Sequence, residues 1–336
     1  MKIPENMKCV VIQDYGAADK LKLVNCKLPI INNHEVLIKV KAIGVNRPDI
    51  MQRKGYYVAP KGASSIPGLE VSGKILKVGN KVKGIKINDK VCALTHGGGY
   101  AEFCKVNQKH VLHIPKGLNY IEAACIPENF FTVWYNMFHI GKIKKNESVL
   151  IHGGSSGIGT IAIQMAKLIN CKVFVTAGSK NKLKKCLEIG ADYAINYKKE
   201  NFEKKILAIT KNKGINLILD MTGKEYFSRN LKLLTDKGRL IIIAYLTGRN
   251  TSLDLQQIIK KRLIISGSTL RPRTNYEKGF IARNIKKHYW SKLEEKKIKP
   301  YVYKVFQLKK VIQAHKLMES SKHIGKIVMI NDNKEK

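Results

Sequence analysis

Acidic residues are scarce in this 336-residue chain: 25 Asp and Glu stand against 62 Lys and Arg, giving a formal net charge of +37. Such an excess is one signature of a nucleic-acid partner, because lysines that neutralise phosphates release counterions. Here the lysines run through every segment beside many asparagines and form no dominant block. The charge suits a bias of the whole composition as well as a binding face, so nucleic acid stays an open but secondary partner. No apolar run approaches the roughly 20 residues that span a bilayer, and no membrane partner is expected. The N-terminus, MKIPENMKCVV, has neither the apolar centre of a secretory signal nor the Arg/Ser-rich character of a transit peptide. The cytoplasm is the expected compartment.

Cysteine is sparse as well. Cys9, Cys26, Cys92, Cys104, Cys125, Cys171 and Cys186 are scattered singly, with no CxxC pair. That pattern argues against a disulfide framework and against a four-cysteine zinc lobe. The expectation is seven unpaired thiols, mostly buried, in a reducing compartment. Apolar residues make up 44% of the chain, ample for a folded core, and the length allows two domains that share a cleft.

Among the features present, the stretch Glu147 to Lys167, ESVLIHGGSSGIGTIAIQMAK, says most. It predicts a short apolar strand, a Gly-rich turn and a helix beginning near Gly157. Such a turn lets backbone approach a pyrophosphate and points the helix's unpaired N–H groups and positive dipole end at it. Gly153, Gly154, Gly157 and Gly159 supply the tight turning and close approach, with Ser155, Ser156 and Ile158 beside them. A second strand, CKVFVTAGS, ends near Gly178. Where a dinucleotide unit takes NAD, an Asp or Glu at this point binds the ribose 2′-hydroxyl. This chain has Gly178, Ser179, Lys180, Asn181 and Lys182 instead. A carboxylate would repel a 2′-phosphate, whereas a hydroxyl and ammonium groups hold one. The expected cofactor is therefore NADP(H).

From Met7 to about Val111, short strands separated by Gly and Pro predict a largely antiparallel β domain. After Pro127 a helix is expected over 130–140. Strands at 149–151, 173–176, 193–195, 217–220, 240–244 and 263–266 then alternate with helices, as in a doubly wound parallel sheet. The fold class is α/β. The domains are drawn at 1–129, 130–271 and 272–336, the last completing the first.

This organisation resembles the medium-chain dehydrogenases/reductases, and the Gly-rich stretch is similar to the quinone oxidoreductase/zeta-crystallin signature. NRPDIMQRKGYYVAPKGASSIPGLEVSG, IPENFFT, NYKKENF, NLILD and AHKLMESSKHIGKIV resemble the tumour-suppressor-inducible type of quinone oxidoreductase, which also carries Ser at the position of Ser156. The resemblance implies a GroES-like β-rich catalytic domain and a Rossmann domain. Zinc-dependent relatives place a Cys and a His-Glu pair where this chain reads Gly44-Val45-Asn46-Arg47-Pro48-Asp49 and Gly68-Leu69-Glu70. Catalytic zinc would lack its ligands, and no metal is expected.

The resemblance also puts Asn46 and Asp49 near the nicotinamide side of the cleft. For Asp49 a second reading is open, that it orients neighbouring backbone. Tyr57 is similar in position to an active-site tyrosine; Tyr56 competes with it, and packing alone is a further reading of either ring. Thr132 matches a threonine near the nicotinamide ribose. Tyr197 is a candidate for the adenosine phosphate edge beside Lys182. Ala244 to Leu246, expected at a strand's carboxyl end, are candidates for the carboxamide. Arg271, ahead of Arg273, is the candidate for closing over the cofactor. The expected activity is reduction of a small-molecule quinone, with ortho-quinones plausible acceptors. Enal or enone reduction, and NADPH-linked RNA binding or a structural role of zeta-crystallin type, are the alternatives. A homodimer is the expected assembly.

Overall fold

The computed structural model describes residues 3–331. The chain divides into two compact units, one built from the residues up to Phe131 and again from Arg271 onward, the other from Thr132–Leu270.

The first unit is built around a seven-stranded sheet. Its hub is Glu35–Val45, which pairs antiparallel with Glu70–Val78, Phe103–Asn107 and Lys326–Ile330. Lys90–Leu94 and Val111–His113 extend it on one side, and Val302–Gln307 on the other. The hub starts with apolar alternation but is buried almost throughout its second half, Ala42–Val45, because strands flank it on both edges. The C-terminal strand enters beside that half, with Ile327 opposite Val45 and Val328 opposite Gly44. Distant parts of the chain thus meet at one point of one sheet.

A short helix, Arg47–Arg53, follows the hub directly and was not expected from sequence. Its buried side chains are Asp49, Ile50, Gln52 and Arg53, three of them polar or charged, so no apolar stripe announces it. Asp49 at the third helical position accepts from the Asn46 N–H at 2.8 Å, closing the helix start as a capping carboxylate does.

The thiol expectation is corrected at one pair. Cys9 on Asn6–Ile12 and Cys26 on Leu21–Lys27 are joined as a disulfide across these antiparallel strands. The register sets Cys9 opposite Val24 and Met7 opposite Cys26, a diagonal pair on one face. Spacing along the chain could not show that register. The other five cysteines are buried and free.

In the second unit six parallel strands run in the order Tyr193–Asn196, Lys172–Ala177, Ser148–His152, Ile215–Asp220, Leu234–Ile242, Ile264–Gly267. By position along the chain this is 3-2-1-4-5-6, the doubly wound order whose direction reverses between the first and fourth strands. The strand expected at 240–244 begins at Leu234 and ends at Ile242. Asp236-Lys237-Gly238 within it reads as a turn in sequence, and Lys237 does sit at φ +54°. Ala244 and Leu246 accordingly lie in the loop beyond the strand, with Leu246 exposed. The helix expected over 130–140 is α-helical at Pro127–Val133 and π-helical at Trp134–Ile140. A further helix, Leu255–Lys261, buries none of its residues and so leaves no periodic signal.

Candidate functional site

In the second unit the Gly-rich turn leaves the first strand, Ser148–His152, at the point where the strand order reverses. Open α/β sheets bind ligands outside the carboxyl ends of their strands at that point. Three of the turn's four glycines are set by conformation or close packing. Gly153 sits at φ +69°, and a Cβ on Gly154 would lie 2.6 Å from the Val175 side chain. A Cβ on Gly159 would lie 2.4 Å from the Gly153 carbonyl, so the helix Gly157–Lys167 packs directly onto the turn. Ser156 caps that helix, its Oγ accepting from the Gly159 N–H at 3.0 Å. Gly157 and Ser155 are buried, and Ile158 and Ser156 are partly open. Below the turn, the buried His152 ring bonds Thr176 Oγ1 at 3.0 Å and Asn230 Oδ1 at 2.8 Å.

At the end of Lys172–Ala177, Ser179 caps the next helix, Lys180–Ile189, with Lys182 in its first turn. A Cβ on Gly178 would lie 2.9 Å from the Tyr197 hydroxyl and 3.3 Å from Lys198 Cε. Tyr197 and Lys198 thus crowd the strand end where a NAD-type unit carries its acid. Thr132, in Pro127–Val133, contributes its carbonyl to Nδ2 of Asn136 in the π-helical stretch at 2.9 Å.

The first unit holds a different kind of site. Gly44 has no side chain because Glu70 takes the space: a Cβ there would overlap the Glu70 carboxylate. Glu70 Oε1 receives Lys326 Nζ and Asn46 Nδ2, the latter at 2.9 Å. Lys326 Nζ also donates to Asn46 Oδ1 at 2.6 Å. The second Glu70 oxygen accepts the Glu128 N–H at 3.0 Å. All these side chains except that of Glu128 are buried. Asn46 thus spends its donor and acceptor inside a buried ion pair. Asp49, fully buried, accepts from the Gly68 N–H at 3.1 Å and the Tyr100 hydroxyl at 3.1 Å, besides its cap to Asn46. Burial pushes its carboxyl up to about 6, against the pull of these donors. Asp49 thus accepts from backbone at both Asn46 and Gly68.

Tyr57 is partly buried while Tyr56 is 73% exposed. The Arg271 guanidinium lies 5.6 Å over the Tyr57 ring, close enough for a cation–π contact. Burial and the Glu128 charge push the Tyr57 hydroxyl up to about 12. Arg271 belongs to this unit, and Nη1 donates to Gln52 Oε1 at 2.8 Å. Its buried Nε has no hydrogen-bond partner. Arg273 pairs with Glu277 at 2.8 Å. Lys278 was missed from sequence: 1% exposed, it donates to the Arg271 carbonyl at 2.8 Å and approaches His96 Nδ1 at 3.2 Å. Burial brings its ammonium down to about 8. Glu128 and Lys326 were missed too. The available signals were a lone acid inside an apolar run, and a lysine alternating into an apolar strand.

Among the described residues no group of three or more His, Cys, Asp or Glu side chains is placed to hold a metal ion. No helix among them is long and apolar enough to cross a membrane.

Residues 157–284 match the zinc-binding dehydrogenase family, and residues 32–116 match the alcohol dehydrogenase GroES-like domain. The quinone oxidoreductase of Mus musculus is 32% identical over 333 residues, covering 96% of this chain and 98% of that protein. The quinone oxidoreductase of Homo sapiens is 31% identical over 328 residues, with the same coverage. Among solved structures, the JamJ enoyl reductase superposes with a TM-score of 0.87 at 29% identity, covering 97% of this chain and 99% of that one. A GroES-like sheet unit, a 3-2-1-4-5-6 parallel sheet with a Gly-rich turn at its reversal, and near full-length likeness to quinone oxidoreductases give one conclusion. The chain belongs to the medium-chain dehydrogenase/reductase family, as an oxidoreductase of the kind that works with a nicotinamide cofactor.

Proposed function

We propose that this protein is an NADP(H)-dependent reductase of quinones that works without a catalytic metal, with ortho-quinones among its acceptors. The observation that carries the acceptor is the 32% identity to a quinone oxidoreductase over nearly the whole chain. The choice of cofactor rests on the strand end at Gly178, where Ser179, Lys182, Tyr197 and Lys198 gather and no acid precedes the helix. The residues present fit the dinucleotide: a turn whose Gly153, Gly154 and Gly159 sit where a side chain would be strained or crowded, a capped helix start for the pyrophosphate, and cations for the 2′-phosphate.

When bound, the dinucleotide supplies hydride. The protein's part is placement and charge. Gly154, Ser155, Ser156, Gly157 and Ile158 hold the pyrophosphate, and Ser179, Lys182 and Tyr197 the adenosine phosphate. Thr132, Ala244 and Leu246 border the nicotinamide. In the first unit Asn46 is oriented by Glu70 and Lys326, and Tyr57 with Arg271 offers a ring and a cation to a conjugated acceptor. Quinones and enones spread incoming charge through their own conjugation, so no Lewis acid is required of the site. The likeness to the JamJ and CurK enoyl reductases, with TM-scores of 0.87 and 0.86, favours enal or enone reduction as the second reading. Assembly as a homodimer would cover the sheet-edge strand Ile264–Gly267, whose Ile264 is 54% exposed.

The test is steady-state oxidation of NADPH and NADH by chelator-treated protein, with an ortho-quinone and an alkenal as acceptors. Quinone-dependent turnover with NADPH preferred is the expected result. Replacing Lys182 by Ala should raise the KM for NADPH about tenfold, the worth of one charge-assisted contact near 1.4 kcal/mol, and leave NADH unchanged. Turnover of the alkenal alone selects the second reading.

A further inference from the structure

Two carboxyls act on Tyr57 and Arg271, those of Glu128 and Asp49, and Asp49 is already spent on the Asn46 and Gly68 N–H groups and the Tyr100 hydroxyl. Glu128 opens the helix Pro127–Val133, and its own N–H is tied to Glu70 Oε2 at 3.0 Å. The cation that acts on it most strongly is already committed: Lys326 is bonded to Glu70 and Asn46. Among the described residues no hydrogen bond reaches the Glu128 carboxyl oxygens. The groups that act on it are Glu70, Asp49, Lys326 and Lys278, and its own charge acts on Tyr57 and Arg271. Its helix start is therefore seated on the buried Glu70–Lys326–Asn46 cluster, and its half-buried carboxyl, within electrostatic reach of Tyr57 and Arg271, makes no hydrogen bond among the described residues.

We propose that Glu128 is the general acid of this site, giving its carboxyl proton to the acceptor after the acceptor has been reduced by hydride. The inference rests on the reductase reading above. The chemistry balances simply. In an enone, hydride brings its electron pair to the β-carbon and the C=C π pair shifts to form an enolate. The Glu128 O–H bond then breaks, its proton forms the new bond to the enolate, and the carboxylate left behind is reprotonated from solvent. In a quinone the same proton goes to the hydroquinone oxyanion. Burial first, and the neighbouring Glu70 second, push the Glu128 carboxyl up to about 8, against the pull of Lys326. An acid poised near neutral pH is protonated when needed and still a competent donor.

Two measurements test this. In protein without dinucleotide, labelled at glutamate carboxyl carbons, ¹³C NMR should show one resonance titrating near pH 8 that is absent from E128Q. Titration of that resonance in the ordinary carboxylate range would overturn the proposal. In turnover with the accepted quinone or enone, the wild-type rate should fall about tenfold per pH unit above about pH 8. E128Q should be slower by about 10²–10⁴ and flat across that range, with E128D regaining part of the rate and the pH dependence. Thermal melts of both variants separate this from misfolding. If E128Q keeps the wild-type rate and profile, Glu128 is not the acid although the reductase reading stands. If wild type reduces neither acceptor class, that reading falls and takes the proposal with it.

Discussion

The two units assemble their chemistry in opposite ways. In Thr132–Leu270 the Gly-rich turn proposed for the dinucleotide is one contiguous stretch, and its geometry is held by sterics: Gly154 and Gly159 stand where a Cβ would strike a packed side chain or backbone. In the other unit the site is drawn from four separate segments, around Asn46, Glu70, Glu128 and Lys326, and held by buried charge. A contiguous steric turn should fail first on added atoms, and a dispersed electrostatic cluster first on lost charge. The chain's two tryptophans fall one in each unit, Trp134 in the second and Trp290 in the first, so single-Trp variants report each unit separately.

The sharpest way to break the comparison is Lys326→Met, which keeps volume and removes charge. Glu70 would remain fully buried with its ion-pair partner gone. Leaving such a charge unpaired costs about 3–5 kcal/mol. Urea unfolding followed at Trp290 should shift by that amount while the Trp134 transition stays put. Adding Glu70→Gln to Lys326→Met should recover part of the loss, because the uncompensated charge goes with it. Equal shifts at both tryptophans would mean that the cluster is not local to its unit.

The converse change is Gly159→Ala, one methyl and no charge. Its Cβ would stand 2.4 Å from the Gly153 carbonyl and 2.5 Å from that of Gly154, and backbone must move to admit it. Overpacking of this kind costs about 1–3 kcal/mol, now read at Trp134. Because the displaced carbonyls belong to the turn proposed to hold the pyrophosphate, dinucleotide affinity measured by calorimetry should fall about tenfold for each 1.4 kcal/mol. Unchanged affinity would separate the turn from cofactor binding.

The same contrast explains what could be read from sequence. The doubly wound unit was legible because its strands are apolar runs, its helices are periodic and its Gly-rich turn is a local signature. Errors there arose where local chemistry misleads: Asp236-Lys237-Gly238 reads as a turn yet lies inside a strand, and Leu255–Lys261 has no buried face. In the first unit a resemblance singled out Asn46 but not its partners. Nothing in GKIV says that Lys326 will lie beside Asn46, because that neighbour is created by antiparallel pairing across the length of the chain. Lys278 was lost in a lysine-rich chain, where a buried lysine looks like its solvated fellows. The Cys9–Cys26 pair was hidden by register for the same reason. Buried polar networks depend on tertiary placement, and residue type alone carries little trace of it.

Acid should sharpen the comparison with the smallest effect per step. His315 is fully buried in the first unit, bonded through Nε2 to the Tyr100 hydroxyl at 3.0 Å, with a buried Nδ1 that finds no partner. Burial, with Arg53 nearby, brings its imidazole down to about 3. In the unfolded chain a histidine takes up its proton near pH 6.5. Between these values the unfolded state binds one proton more, so stability rises with pH across the window. The contribution of His315 is complete above pH 6.5 and is lost as pH falls below it, at about 1.4 kcal/mol per pH unit. Replacing His315 by Leu leaves the Tyr100 hydroxyl one partner short and should cost stability at pH 7.5. On acidification the gap between the variant and wild type should close at that slope, read at Trp290. A gap that stays constant from pH 7.5 to pH 5 would show that His315 is protonated in the folded protein, and that the buried charges of this unit are balanced differently from the way its hydrogen bonds imply.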